Sequence, residues 1–377
     1  METIWRQSAA PCGAEYIFAG DIGGTNTSFA LMRLEEGGLC MVGKFLFQTR
    51  VAGSLREAAC EAMAEIRRRF PDAGIRGACL SVAGPVRENR CVMTNVSWVI
   101  SGDELAGVLG IPVRIINDFT ALSYALPLLD VRDPDVITPL FPGGAEASWS
   151  SSSGRTWAVV GAGTGLGVGC LVESGGGFTA IASEGGHTDF AASDALSREL
   201  CVWLGERIGA IPETELVVSG QGLINIFHFF YERARAASGE GGVSEKFREI
   251  AALVDWEKPA CIARGAACDE GCAKIMRLFV RMYARVAYNV AVTFLPFAGL
   301  FLAGGIAGKI EEWFVRDDFF MKSFLAAYRP KIRDMLKSIP VYIIKDYGAS
   351  LTGAANAARC LMLDAQDMRD PRDMRDR

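Results

Sequence analysis

Twice along the chain an apolar strand runs into a polar glycine turn and straight out into a second strand, and this repeated device constrains the fold more than any other feature. The first copy is Tyr16-Ile-Phe-Ala-Gly20, then Asp21-Ile-Gly-Gly-Thr-Asn26, then Ser28-Phe-Ala-Leu-Met32. The second is Trp157-Ala-Val-Val160, then Gly161-Ala-Gly-Thr-Gly-Leu-Gly167, then Val168-Gly-Cys-Leu-Val172. Short apolar runs bounded by turn residues predict strands of covered sheets, and the glycines predict tight hairpin tips. Further runs at 78–82, 113–116, 299–303 and 341–344 read as strands; the third enters Gly304-Gly305.

Between the strands the period changes to that of a helix. Ser54 and Glu57 form a capping box, and Leu55, Ala59, Met63, Ile66 and Phe70 recur on one face of a helix that ends before Pro71. Its Arg67-Arg68-Arg69 run reads as a solvated last turn. Ile275, Leu278, Phe279, Met282 and Val286 mark a long amphipathic helix whose apolar face is core. Residues 142–155, rich in Gly and Ser, predict a mobile loop or inserted connection, and the charged near-repeat at the end of the chain predicts disorder.

A chain of 377 residues exceeds the usual single domain, so two α/β units are expected. Half the residues are apolar and 22% are charged, the balance of a globular enzyme. A net charge of −5 gives no general attraction to phosphate backbones or anionic lipid, so neither nucleic acid nor a membrane is an expected partner. Eleven cysteines at irregular spacing argue against a disulfide framework and for reduced thiols in the cytoplasm. The Cys268 and Cys272 pair has no second pair to complete a zinc site. Residues 1–15 lack the apolar core of a secretory signal, and the longest apolar run, 290–303, is too short and is broken by Pro296.

The candidate chemistry lies in the turns. Asp21, Gly23, Gly24, Thr25 and Asn26 combine a carboxylate, two glycines and hydroxyl or amide groups: backbone N–H groups suit an anion, and Asp21 suits Mg²⁺. Gly163-Thr164-Gly165 is a second anion loop. It also meets a loose dinucleotide pattern, but that fingerprint needs a helix where 168–172 reads as a strand, which disfavours a dehydrogenase. Gly304-Gly305 is either a nucleotide wall or a tight corner. Asn117 and Asp118 stand at the C-terminal end of a strand, where ligands of α/β sheets collect and where an aspartate otherwise serves as a helix cap.

Seven motifs in order carry a resemblance. They are Gly20-Asp-Ile-Gly-Gly-Thr-Asn26, Met93-Thr-Asn-Val-Ser-Trp98, Ile116-Asn-Asp-Phe-Thr-Ala121, Gly161-Ala-Gly-Thr-Gly-Leu-Gly167, Glu184-Gly-Gly-His187 with Asp189-Phe190, Ser219-Gly-Gln-Gly-Leu223 and Ala303-Gly-Gly-Ile306. From about Tyr16 to about Arg359 the chain resembles the hexokinase/actin-like ATPase superfamily and, within it, the bacterial-type glucokinases. The related repressors and kinases with a Cys-rich zinc motif fit less well, since Thr-Asp-Phe-Ala-Ala follows His187 and no cysteine comes before Cys201. Some fifteen residues before the first strand leave no room for a DNA-binding extension.

The resemblance implies an α/β, two-lobed actin-like ATPase (ribonuclease H-like) fold with a ligand cleft between lobes. It implies an N-terminal extension over 1–15, a small domain over 16–128, a large domain over 129–350, a C-terminal helix over 351–364 returning to the small domain, and a disordered tail over 365–377. It implies ATP-dependent phosphorylation of glucose at the 6-hydroxyl, the first step of glycolysis, by a cytoplasmic homodimer using ATP and Mg²⁺. Asp118 is then the catalytic base, and Asn95, Asn117, Asp118, Glu184, His187 and Glu215 bind the sugar. Asp21, Gly23, Gly24, Thr25, Asn26, Gly163, Thr164, Gly165, Gly304 and Gly305 hold the nucleotide, with Asp21 the metal ligand. A kinase for another hexose and a non-catalytic sugar sensor remain open, as do ADP and polyphosphate as donors.

Overall fold

A computed structural model describes residues 1–6, 13–36, 38–93, 96–142, 154–239, 242–346 and 348–367. Asn95, most of the Gly/Ser-rich stretch, at 143–153, and the charged tail from 368 lie outside the described residues. The chain divides into two compact units, one comprising Met1–Leu129, Glu173–Ile181 and Tyr347–Arg377, the other Asp130–Val172 and Ala182–Asp346.

The first unit is built on strands β1 (Glu2–Trp5), β2 (Glu15–Ile22), β3 (Asn26–Glu35), β4 (Gly38–Gln48), β5 (Gly74–Val82) and β9 (Val113–Asn117), in the order β1-β4-β3-β2-β5-β9. The β1 to β2 steps are antiparallel; β5 and β9 run parallel to β2. Ile22 pairs with Val82 and Val82 with Asn117, so three parallel strands end on one row. Helix α1 (Leu55–Arg69) starts at Ser54, whose hydroxyl accepts from Glu57 N at 3.1 Å. Its Leu55, Ala59, Met63 and Ile66 join Phe18, Phe29, Phe45 and Leu80 in one apolar core, as their spacing predicts.

A small sheet of β6 (Val86–Arg87), β7 (Arg90–Val92) and β8 (Val99–Ser101) leads into α2 (Gly102–Leu109). Helix α3 (Asp118–Ala125) follows β9 directly, and α13 (Ala349–Asp367) packs against α3, β2 and β5. Residues 2–5, expected in an extension outside the domain, instead form the edge strand. Trp5 anchors it, its ring centroid 5.3 Å from those of Phe45 and Phe70, edge-on to both. Helix α13 also continues to Asp367, three residues into the segment expected to be disordered.

The second unit repeats the device. Strands β10 (Ile137–Phe141), β11 (Thr156–Ala162), β12 (Leu166–Ser174), β14 (Gly299–Ala303) and β15 (Val341–Ile344) run in the order β10-β15-β14-β11-β12, while β13 (Gly177–Ile181) counts with the first unit. As β2 does with β3, β11 pairs antiparallel with β12 across a glycine turn, and β14 and β15 lie parallel beside β11 as β5 and β9 do beside β2. The sheet is covered by α4 (Ala195–Ile208), α5 (Gly220–Ser238), the short α6 (Glu245–Ala251) and α7 (Lys258–Gly265), and the long α8 (Glu270–Phe294). Ile275, Leu278, Phe279 and Met282 of α8 are buried with Val160, Leu300 and Leu302 of the sheet, and Val286 lies at the edge of the same core. Short helices α9 (Gly304–Ala307), α10 (Glu311–Val315), α11 (Phe319–Phe324) and α12 (Pro330–Leu336) complete the unit.

Candidate active site

In the first unit Asn117 ends β9 and caps α3: its Oδ1 accepts from Phe119 N at 2.9 Å while its Nδ2 donates to Gly84 O at 3.3 Å. The capping duty that an aspartate at this place often performs thus falls to the asparagine. Asp118 occupies the first helical position, and its Oδ1 also accepts from Phe119 N at 2.9 Å. Burial pushes its pKa up to about 6, the charge of Asp21 adds to this, and the bond from Phe119 N opposes it. A carboxylate tuned upward is a proton acceptor poised near neutral pH.

Asp21 lies next to the end of β2. Its Oδ1 accepts from Ser350 Oγ at 3.2 Å and lies 3.4 Å from Ser81 Oγ, and the two serine hydroxyls are 3.2 Å apart. Burial raises its pKa; the two hydroxyls and the charge of Lys44 hold it back. A buried carboxylate without full charge compensation favours a cation. Among the described residues no group of three or more His, Cys, Asp or Glu side chains forms a metal cage. Mg²⁺ does not require one, since it is usually held by one or two carboxylates together with substrate phosphates and water. The donor set therefore fits a Mg²⁺ ion carried with a nucleotide.

The tip between β2 and β3 is held from behind by Thr49, whose hydroxyl donates to Gly23 O at 2.8 Å and whose N–H donates to Thr25 O at 2.9 Å. Gly23 N is spent inside the turn on Asn26 O at 2.9 Å, so it is not among the N–H groups left for an anion. Thr25 and Asn26 are exposed at the tip. Asp21, Asn26, Ser28, Lys44 and Gln48 line one cavity of about 910 Å³.

In the second unit the turn between β11 and β12 has the same internal logic. Gly163 N donates to Gly165 O at 2.8 Å, Gly163 O accepts from Gly220 N at 2.8 Å, and Thr164 is exposed. Gly304 lies beside it at the end of β14. Its φ of +85° and the 2.4 Å that would separate a Cβ from Ala162 O both demand glycine, while Gly305 has open space where a side chain would stand. Both strand ends are tied by Tyr283, fully buried in α8. Its hydroxyl accepts from Ala162 N at 3.1 Å and stands 3.1 Å from Val160 O and 3.2 Å from Ala303 O.

The remaining expected ligands cluster around one clasp. Phe190 N donates to Pro212 O and Thr214 N to Thr188 O, each at 2.8 Å, which binds the Glu184–His187 turn to the segment carrying Glu215. Glu184 and His187 are exposed, and His187 Nδ1 lies 2.7 Å from Glu213 Oε2. Glu215 Oε2 accepts from Leu166 N at 2.7 Å, so this carboxylate faces the glycine turn.

The structure thus gathers Asp21, Asn117 and Asp118 in the first unit and Glu184, His187, Glu215, Gly163–Gly165 and Gly304–Gly305 in the second. Ser81, Ser350, Tyr283 and Glu213 were missed. Ser81 left a signal as the one hydroxyl in an apolar strand run, and Glu213 left one in its Glu-x-Glu spacing with Glu215.

Known proteins share this fold. The glucokinase family model matches residues 18–361. A glucokinase of Nostoc punctiforme is 31% identical over 360 residues, covering 91% of this chain and 98% of its own. A crystal structure of glucokinase from an Antarctic psychrotroph superposes with a TM-score of 0.75 at 26% identity, over 92% of this chain and 99% of that one. Glucokinase from Balamuthia mandrillaris, solved in complex with glucose, gives 0.70 at 25% identity, over 94% and 96%. The fold is that of the two-lobed actin-like ATPases to which these kinases belong. With the family model reaching into both units and a relative 31% identical over 91% of the chain, this chain belongs to the glucokinase family.

Proposed function

We propose that this chain transfers the γ-phosphoryl group of ATP to the 6-hydroxyl of glucose, giving glucose 6-phosphate and ADP, with Asp118 as the general base. The observation that carries the reading is the Asp118 carboxylate, placed at the end of β9 with its pKa pushed up to about 6. A sugar hydroxyl is a weak nucleophile at neutral pH. As the bond from O6 to phosphorus forms and the bond from phosphorus to the β–γ bridging oxygen breaks, the hydroxyl proton passes to Asp118.

The other residues hold the reactants. Glu184, His187 and Glu215 supply acceptors and a ring nitrogen for the sugar hydroxyls, with Asn95 and Asn117 as amide partners. Thr25 and Asn26 at one turn and Thr164 and Gly165 at the other cradle phosphates, and Gly304 with Gly305 leaves a flat surface for a base. Asp21 would hold Mg²⁺, which when bound neutralises charge on the phosphate oxygens.

Family resemblance supports a homodimer in the cytoplasm. No described helix is long and apolar enough to cross a membrane.

The test is a coupled assay of ATP-dependent phosphorylation across a hexose panel, run beside Asp118→Asn. Turnover selective for glucose and lost in the variant is the expected result. Turnover selective for another hexose would replace the substrate, and sugar binding without turnover would replace the kinase with a sensor.

A further inference from the structure

We propose that Glu213 is a positioning residue: it holds the His187 ring through Nδ1 and so leaves Nε2 as the nitrogen that meets a sugar hydroxyl. The proposal rests on the reading of His187 as a sugar ligand.

Pro212-Glu213-Thr214-Glu215 carries two carboxylates with different duties. Glu215 is turned to Leu166 N, at 2.7 Å, whereas Glu213 Oε2 lies 2.7 Å from His187 Nδ1. A surface pair on two flexible side chains counts for little. Here the backbones on both sides are joined. Asp189 and Glu213 form an antiparallel bridge, Phe190 N and Thr214 N donate across the same seam, and the Thr214 hydroxyl donates to Thr188 O at 2.9 Å. The carboxylate is therefore presented to the ring from a fixed seam.

The consequence is chemical more than energetic. An acceptor on Nδ1 requires a proton there, so the neutral ring exposes a lone pair at Nε2 and the charged ring exposes an N–H. The titratable groups facing His187 are Glu213 and Glu215 from the opposite segment and Glu184 from its own turn. All three raise its pKa, with the hydrogen bond to Glu213 the largest cause. His187 thus offers the sugar a donor at lower pH and an acceptor once it has titrated. The glucose KM changes across that step.

The chain has only two histidines, so a proton NMR titration resolves His187 from His228, whose pKa burial lowers. The experiment follows both resonances, and the pH profiles of the glucose and ATP KM, in the wild type, Glu213→Gln, Glu213→Ala and His187→Gln. Glutamine keeps an acceptor and removes the charge. It should move the His187 midpoint and the glucose KM step to lower pH together, leaving His228 and the ATP KM in place. Alanine should raise the glucose KM about tenfold, the scale of a lost charged hydrogen bond. If His187→Gln raises the glucose KM while Glu213→Gln moves neither midpoint nor step, positioning by Glu213 is overturned and His187 remains a sugar ligand. If His187→Gln leaves the glucose KM unchanged, the sugar-ligand reading fails and the proposal fails with it.

Discussion

Leu166 N donates to Glu215 Oε2 at 2.7 Å, joining the first residue after the glycine turn of the second unit to a carboxylate expected to touch sugar. The same oxygen would stand 2.5 Å from a Cβ on Gly165. On the proposed reading, one side chain then serves both ligands. Glu215→Gln should raise the KM for ATP as well as for glucose, each by about tenfold, because it weakens a charge-assisted hydrogen bond. Gly165→Ala should do the same by displacing the carboxylate. A change confined to glucose in both variants would show that Glu215 does not support the turn.

As the proposed base, Asp118 should set the acid limb of activity. The group must be ionised to accept a proton, and its pKa is pushed up to about 6, so kcat/KM should fall tenfold per unit as pH drops below about 6. Asp118→Asn should lower kcat by roughly 10²- to 10⁴-fold while glucose still binds. Stability should move the other way. A carboxylate with a raised folded pKa opposes folding once pH exceeds that pKa, and the opposition is gone below the unfolded value. The variant should therefore gain up to about 3 kcal/mol at pH 8, and the gain should vanish near pH 3. Denaturant melts at the two pH values check this, and a variant less stable than wild type at pH 8 would contradict the burial argument.

Tyr283→Phe keeps the ring and removes the hydroxyl that Ala162 N requires. Leaving that buried N–H without its acceptor should cost about 1–3 kcal/mol in denaturant unfolding. Because the hydroxyl sits between the strand ends that precede Gly163 and Gly304, the ATP KM should rise and the glucose KM should not. Equal effects on both substrates would mean that the phenol supports the core only.

Ser350→Ala removes one of the two hydroxyls on Asp21 Oδ1. With less to oppose burial, the Asp21 carboxylate is harder to ionise, so the Mg²⁺ concentration for half-maximal rate should rise several-fold, most steeply on the acid side. An unchanged Mg²⁺ requirement between pH 6 and 8 would argue against Asp21 as the metal ligand.

What could be read in advance follows from range. The hairpins of Asp21–Asn26 and Gly161–Gly167 were legible because short apolar runs and turn glycines are local, and Ser54 announced α1 for the same reason. The motifs also located Asn117 and Asp118, but not which of them caps α3, since both side chains accept from the same N–H. Glu215 was found and its partner was not. Its bond to Leu166 spans 49 residues, and nothing in either segment names the other. Tyr283 was hidden by its setting, for a phenol inside an apolar helical face looks like any core aromatic until its hydroxyl has to be satisfied. Trp5 had equally little local context: a lone aromatic in a polar terminus finds its meaning only beside Phe45 and Phe70.

The separation of Ser350 from Asp21, 329 residues along the chain, bears on synthesis. The strand bearing Asp21 leaves the ribosome before the helix whose serine completes its surroundings, and the whole of the second unit is made in between. Until that helix emerges, the Asp21 carboxylate lacks the Ser350 hydroxyl that helps hold its pKa down.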